Sequence, residues 1–122
     1  MVRRLSADEV SRQLPLPQAA FQILVALADQ DRHGYAIMQD VAVRTGGSLK
    51  LSPGTLYGSI KRMLEDGLIV EITVRPSPDE DDERRRYYRI TQFGRDLAQA
   101  EADRLTVLLR QARAVGLTPK RA

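Results

Sequence analysis

The residues in this 122-residue chain whose types and spacing could do chemistry are cations set among small side chains. They lie in the stretch LSPGTLYGSIKRMLEDGLIVEITV, Leu51 to Val74. At 100° per residue on a helix, Gly54, Thr55, Gly58, Lys61 and Arg62 fall on one side, and Leu56, Ile60, Met63 and Leu64 on the other. The second side must face a core. The first lets a bulky polyanion come close and meets it with two positive charges. Each glycine costs a helix roughly 1 kcal/mol relative to alanine, so two on one exposed face point to a large object approaching, and a DNA major groove qualifies. Enzymatic chemistry has no comparable set. There is no Cys, there is a single His, and neither G-x-S-x-G nor GxxxxGK[ST] occurs. No catalytic residue, metal ligand or cofactor is expected. His33 is read as a structural turn residue, because without Cys or a second His a transition-metal site would be mostly carboxylate.

Each candidate contact has its own chemistry. Lys61 and Arg62 suit phosphate better than base edges, since they lie one turn behind the leading end of the helix, and Lys50 stands just ahead of it. Ser52 and Gly54 belong to that leading turn, where free N–H groups and the positive dipole end favour phosphate. Thr55 can offer its hydroxyl to phosphate and its methyl to thymine, with helix capping as a competing use. Tyr57 sits between the two faces, and both packing and a hydroxyl contact are open to it. Tyr35 faces the same choice between core and phosphate. Beyond the helix, Arg84, Arg85 and Arg86 are expected on the DNA backbone. The five consecutive acids Asp79 to Glu83 beside them should be repelled by phosphate, and they lack calcium-loop spacing, so they are read as a solvated turn.

These side chains need a scaffold to hold them. Ser52 is a good N-cap, Pro53 suits the first helical position and Gly67 stops the helix, which delimits a reading helix over 52–66. Periodicity then changes to strand, through Leu68, Ile69, Val70, Ile72 and Val74, and again through Tyr87, Tyr88 and Ile90 across a polar turn. Two earlier helices are expected. Leu16 to Ala28 carries Phe21, Leu24, Leu27 and Ala28 on one side; after a DQDRHG break, Tyr35 to Thr45 carries Ile37, Met38, Val41 and Ala42 and ends at Gly46 and Gly47. The expected fold is mainly α with a small β-hairpin, a winged helix-turn-helix followed by one long helix.

That last helix runs from Thr91 to about Val115, roughly 37 Å at 1.5 Å per residue, too long for one small core. Leu97, Glu101, Leu105, Leu108, Ala112 and Val115 recur along it at steps of three and four, a seam suited to a partner helix, with docking against the first helix as the alternative. The expected organisation is an N-terminal arm or short helix over 1–14, a winged helix-turn-helix over 15–90, a dimerisation helix over 91–116 and a flexible tail over 117–122.

The combination of HGYAI at His33 to Ile37, LSPGTLYGSIKRMLEDGLI at Leu51 to Ile69 and RRRYYRITQFG at Arg84 to Gly94 closely resembles the PadR family of transcriptional regulators. The resemblance spans roughly Leu16 to Val115, and several elements recur in order at compatible spacing. It implies a homodimeric winged-helix repressor of double-stranded DNA with a C-terminal dimerisation helix. It also admits a small-molecule effector as a partner, as in family members released by aromatic or drug-like compounds. This chain has no Trp, and its long helix has no aromatic after Phe93, so that helix offers little for stacking a flat ligand. Repression rather than activation comes from the resemblance alone.

Composition is compatible with this. The net charge is +3, and residues 1–62 carry 8 Lys/Arg against 5 Asp/Glu, whereas 63–122 balance at 11 against 11. The surplus lies in the half that holds the reading helix. No apolar run is long enough to span a membrane and no signal sequence is recognisable, so a cytoplasmic location without membrane association is expected. The modest charge and acidic wing leave one rival, a winged-helix protein-interaction module without specific DNA binding.

Overall fold

The computed structural model describes residues 13–73 and 86–117. Helix α1, Gln18–Asp29, follows Pro17, whose fixed φ suits a helix entrance, and buries Ala20, Ile23, Leu24, Ala26 and Leu27. It is the central pillar. Around it pack α2 (Gly34–Arg44), α3 (Pro53–Glu65), α4 (Gln92–Ala114) and the strand β3 (Tyr87–Ile90). The interior is completed by Ile37 and Val41 of α2, Leu56, Ile60 and Met63 of α3, and Phe93 and Leu97 of α4.

Three helices are begun by side chains. The His33 Nδ1 accepts from the Ala36 N–H at 3.1 Å, Ser52 Oγ from the Thr55 N–H at 3.2 Å and Thr91 Oγ1 from the Gly94 N–H at 2.9 Å. Helix α3 ends at Gly67, which takes φ +76° while the Leu68 N–H reaches back to the Met63 carbonyl at 2.9 Å. A side chain with a Cβ is strained in that conformation, which is why the stop falls at glycine.

The sheet has three strands, one more than the sequence pattern suggests. β2 (Ile69–Ile72) pairs antiparallel with β3, Ile69 opposite Ile90 and Ile72 opposite Tyr87, and β3 also pairs with a two-residue β1, Arg32–His33, Arg32 opposite Tyr88. The DQDRHG segment is thus a strand as well as a break. Two residues leave no periodicity to read, and the pairing partner lies more than fifty positions away. Val74, the acidic run Asp79 to Glu83 and Arg84 and Arg85 lie outside the described residues, as do residues 1–12 of the arm expected over 1–14 and residues 118–122 of the tail expected over 117–122.

Helix α4 divides into two parts. Phe93, Gly94, Leu97 and Glu101 are buried, whereas Leu105, Val107, Leu108, Leu109 and Val115 are exposed. Leu97 is wholly buried and Glu101 is 3% exposed. Both are therefore buried within the protomer itself: they share a stripe with Leu105 and Leu108, but the first half of that stripe packs on α1.

Candidate nucleic-acid interface

The face of α3 turned away from the core carries the side chains that could meet a polyanion. Ser52, Gly54, Thr55, Lys61 and Arg62 are exposed, Gly58 is half-buried and Lys50 stands exposed just before the helix. Nothing lies within 4 Å of where a Cβ on Gly54 would point, and only the Arg62 guanidinium comes near the corresponding position of Gly58, at 3.8 Å. The helix surface is open at both glycines. Neither Lys61, Arg62 nor Lys50 has an ion-pair partner among the described residues, so their charge remains available to an external anion. The Ser52 hydroxyl is partly committed, since it also donates to Thr55 Oγ1 at 3.0 Å. Capping and presentation thus share the same two side chains.

Tyr57 is 51% exposed and its ring lies across Gly34, where a Cβ would be 2.5 Å from the phenol oxygen. Glycine here is a matter of close approach. Tyr35, the next residue, is 60% exposed, so the tyrosines of α2 and α3 occupy adjoining surface. Tyr88 is the opposite case: it is buried on β3, and burial, reinforced by the Glu71 carboxylate, pushes its phenol above the ordinary tyrosine value. Of the three wing arginines only Arg86 is described; it is exposed and lies 3.6 Å from Glu71, itself half open to water. That pair is loose, and an exposed pair of this kind contributes little, so Arg86 is not locked away from another anion.

Residues that sequence reasoning passed over hold this surface in place. Arg32, with its side chain 13% exposed, donates to Asp29 at 2.9 Å and to the Ala26 carbonyl at 3.0 Å, and pairs with Asp40 at 3.1 Å. Arg44 closes the ring through Asp40 at 2.6 Å and Asp29 at 3.0 Å. Two aspartates and two arginines so join the end of α1, β1 and α2. The Asp40–Arg44 spacing of four was readable as a helix pair, but the closure through Asp29 and Arg32 was not. On the central strand β3, Arg89 grips Asp31, just before β1, with two nitrogens, at 2.7 and 3.1 Å.

A three-helix core with a small antiparallel sheet and an exposed, cation-bearing third helix defines a winged-helix protein of the DNA-binding class. The chain matches the Transcriptional regulator PadR-like family over residues 23–100, and it belongs to that family. It is similar to a transcriptional regulator from Clostridium thermocellum, 22% identical over 90% of this chain and 96% of that one, with a TM-score of 0.67. It is also similar to a PadR family transcription regulator from Clostridium difficile, 24% identical over 81% and 98%, with a TM-score of 0.68. In sequence it is 36% identical over 73 residues to protein X of Lysinibacillus sphaericus and 36% identical over 84 residues to a 37.1 kDa protein of a Streptomyces fradiae transposon. The matches span 64% and 22% of those two relatives. The family is one of non-enzymatic, winged-helix regulators of transcription. No described helix is long and apolar enough to cross a membrane.

Proposed function

We propose that the protein is a homodimeric repressor that reads a pseudo-palindromic operator with α3. The observation that carries this is the open, glycine-flanked surface of α3, on which Lys61 and Arg62 are exposed and without ion-pair partners among the described residues. In this reading the first turn enters the major groove, Thr55, Tyr57 and Gly58 lie against base edges, and Lys61, Arg62, Lys50 and Tyr35 hold phosphate. Ser52 and Gly54 form the leading turn, and Arg84, Arg85 and Arg86 at the wing base add backbone contacts. A winged helix that binds one half-site needs a second copy to read a palindrome.

The second half of α4 supports that copy. Leu105, Leu108 and Val115 are 41%, 45% and 75% exposed, a row of apolar side chains that water does not favour. Between α1 and α4 runs a groove of about 430 Å³ walled by Phe21, Val25, Ala98 and Ala102, of a character that suits such a row from a partner. Ala112, half-buried, continues it.

The test is fluorescence anisotropy on the protein's own promoter DNA and on scrambled DNA across salt concentrations. Selective, steeply salt-dependent binding is expected, and Lys61→Ala with Arg62→Ala should lower the slope by about one unit for each phosphate no longer neutralised. Equal, weak binding to both DNAs would remove the operator reading.

A further inference from the structure

Of the 19 basic residues in the chain only three are lysines, Lys50, Lys61 and Lys120. The distinction is chemical: an arginine stays protonated and inert, whereas a lysine amine that sheds its proton is a nucleophile and a target for acylation. Lys61 is exposed on the outer face of α3 and makes neither a hydrogen bond nor an ion pair with any described residue. Glu65, one turn further on, is also exposed and pairs with neither Lys61 nor Arg62. At 100° per residue, Lys61 and Arg62 lie on either side of Gly58, which stands one turn before them. The Arg62 guanidinium reaches back over that glycine, 3.8 Å from where a Cβ would stand, and the surface at Gly54 beyond is open. The helix therefore carries a notch floored by backbone, with a guanidinium on one flank and an amine on the other.

We propose that Lys61 is a modification site, acylated by a small acyl phosphate that Arg62 holds over Gly58. A planar guanidinium takes a phosphate through two parallel N–H donors, and a phosphate so held presents its acyl group on the Lys61 side of the notch. The neutral Lys61 Nζ attacks the acyl carbon, the bond from that carbon to the bridging phosphate oxygen breaks, and phosphate leaves with the electron pair. The surplus proton on nitrogen passes to water. The products are an amide and inorganic phosphate, and nothing is oxidised or reduced. Arg62 is a positioning residue in this step. Lys50, equally exposed, has no arginine beside it in sequence and sets the background rate. Acylation removes the Lys61 charge, so one cation of α3 is lost to phosphate, and the modification opposes DNA binding. That opposition rests on the reading of α3 as the DNA-contacting helix; the modification does not.

The full chain, free of DNA, is incubated with acetyl phosphate, and the rate at each lysine is followed by peptide mass spectrometry. Lys61 should acetylate about 10-fold faster than Lys50, the factor that one charge-assisted hydrogen bond to the phosphate supplies. Arg62→Ala should bring Lys61 down to the Lys50 rate. N-acetoxysuccinimide, an acetyl donor with no anion for Arg62 to hold, should modify Lys61 equally fast in the wild type and in Arg62→Ala, which separates positioning from a change in fold, access or local field. Equal rates at Lys61 and Lys50 with acetyl phosphate, or an equal loss with both reagents in Arg62→Ala, overturns the site. In a separate anisotropy series, Lys61→Gln, which carries the same loss of charge, should bind DNA more weakly, with a salt slope lower by about one unit per protomer. An unchanged DNA affinity in Lys61→Gln overturns the opposition. A wild-type protein that acetylates at Lys61 under the control of Arg62 but binds no DNA strikes the DNA reading and leaves the modification site standing.

Discussion

Three donors meet the Glu101 carboxylate, and without them a charge 3% exposed would not survive in this core. Arg104 Nε donates to Oε1 at 2.6 Å, Arg104 Nη2 to Oε2 at 3.0 Å, and the Leu16 backbone N–H adds a third bond. The Arg104 hydrogen bond, above all, holds the carboxyl below its ordinary value, against the opposing effect of burial. A carboxylate with a depressed folded pKa adds stability that is fully present above its unfolded value and is lost as pH falls through the folded one. Acid unfolding of the wild type should therefore draw partly on this residue, in the window below the ordinary carboxylate range. Arg104→Ala leaves the buried charge unpaired. It should destabilise the protein by about 2–3 kcal/mol at neutral pH, at or below the low end for a broken buried pair because Arg104 keeps 33% of its side-chain surface in water. The loss should shrink in acid, where Glu101 takes up a proton; urea unfolding at pH 7 and pH 4 measures both, and equal losses at the two pH values would discount the charge argument.

Between elements, the decisive contact is Tyr57 of α3 over Gly34 at the start of α2. A methyl group at Gly34 would lie 2.5 Å from Tyr57 Oη and 3.0 Å from Cζ, so the ring must move. Gly34→Ala should cost about 1–3 kcal/mol of stability as an overpacked contact, and it should weaken DNA binding as well if the displaced ring belongs to the proposed reading surface. Tyr57→Phe removes the atom in closest conflict. In the double variant the losses should fall short of additive by at least about 0.5 kcal/mol, and strict additivity would mean that the two positions do not communicate. Legibility from sequence divides along the same line. Helix α3 could be read because each of its limits is a local signal: Ser52 caps it, Pro53 starts it, Gly67 ends it. The buried stripe Leu56, Ile60 and Met63 was legible for the same reason, since period 3.6 needs no knowledge of neighbours. β1, the Asp29–Arg32–Asp40–Arg44 ring and the grip of Glu101 on Leu16 were not, because each is made by residues that meet only after the chain has folded. Leu97 shows the same limit: periodicity marks the apolar stripe of α4 but not where along it the protomer's own core ends.

At the scale of the whole molecule, α4 is about 34 Å long, and its first ten residues reach the end of the core at Glu101. The remainder projects from the winged-helix body with Leu105, Val107, Leu108 and Leu109 between 37% and 48% exposed. Apolar groups so placed stabilise a partner's association without contributing to the protomer's interior, which separates assembly from folding experimentally. Leu105→Glu with Leu108→Glu should leave helix content unchanged, since neither side chain is buried in the protomer, and should convert the species seen by sedimentation equilibrium from dimer to monomer. DNA binding should respond in two ways. Losing the tether between half-sites should cost about 100-fold or more in affinity, because the second reading helix no longer binds at an effective concentration set by the first. Halving the phosphate contacts should halve the salt slope. A variant that stays dimeric would place the interface elsewhere on the molecule, whereas a monomer with an undiminished slope would mean that one protomer makes all the contacts and that the twofold operator is wrong.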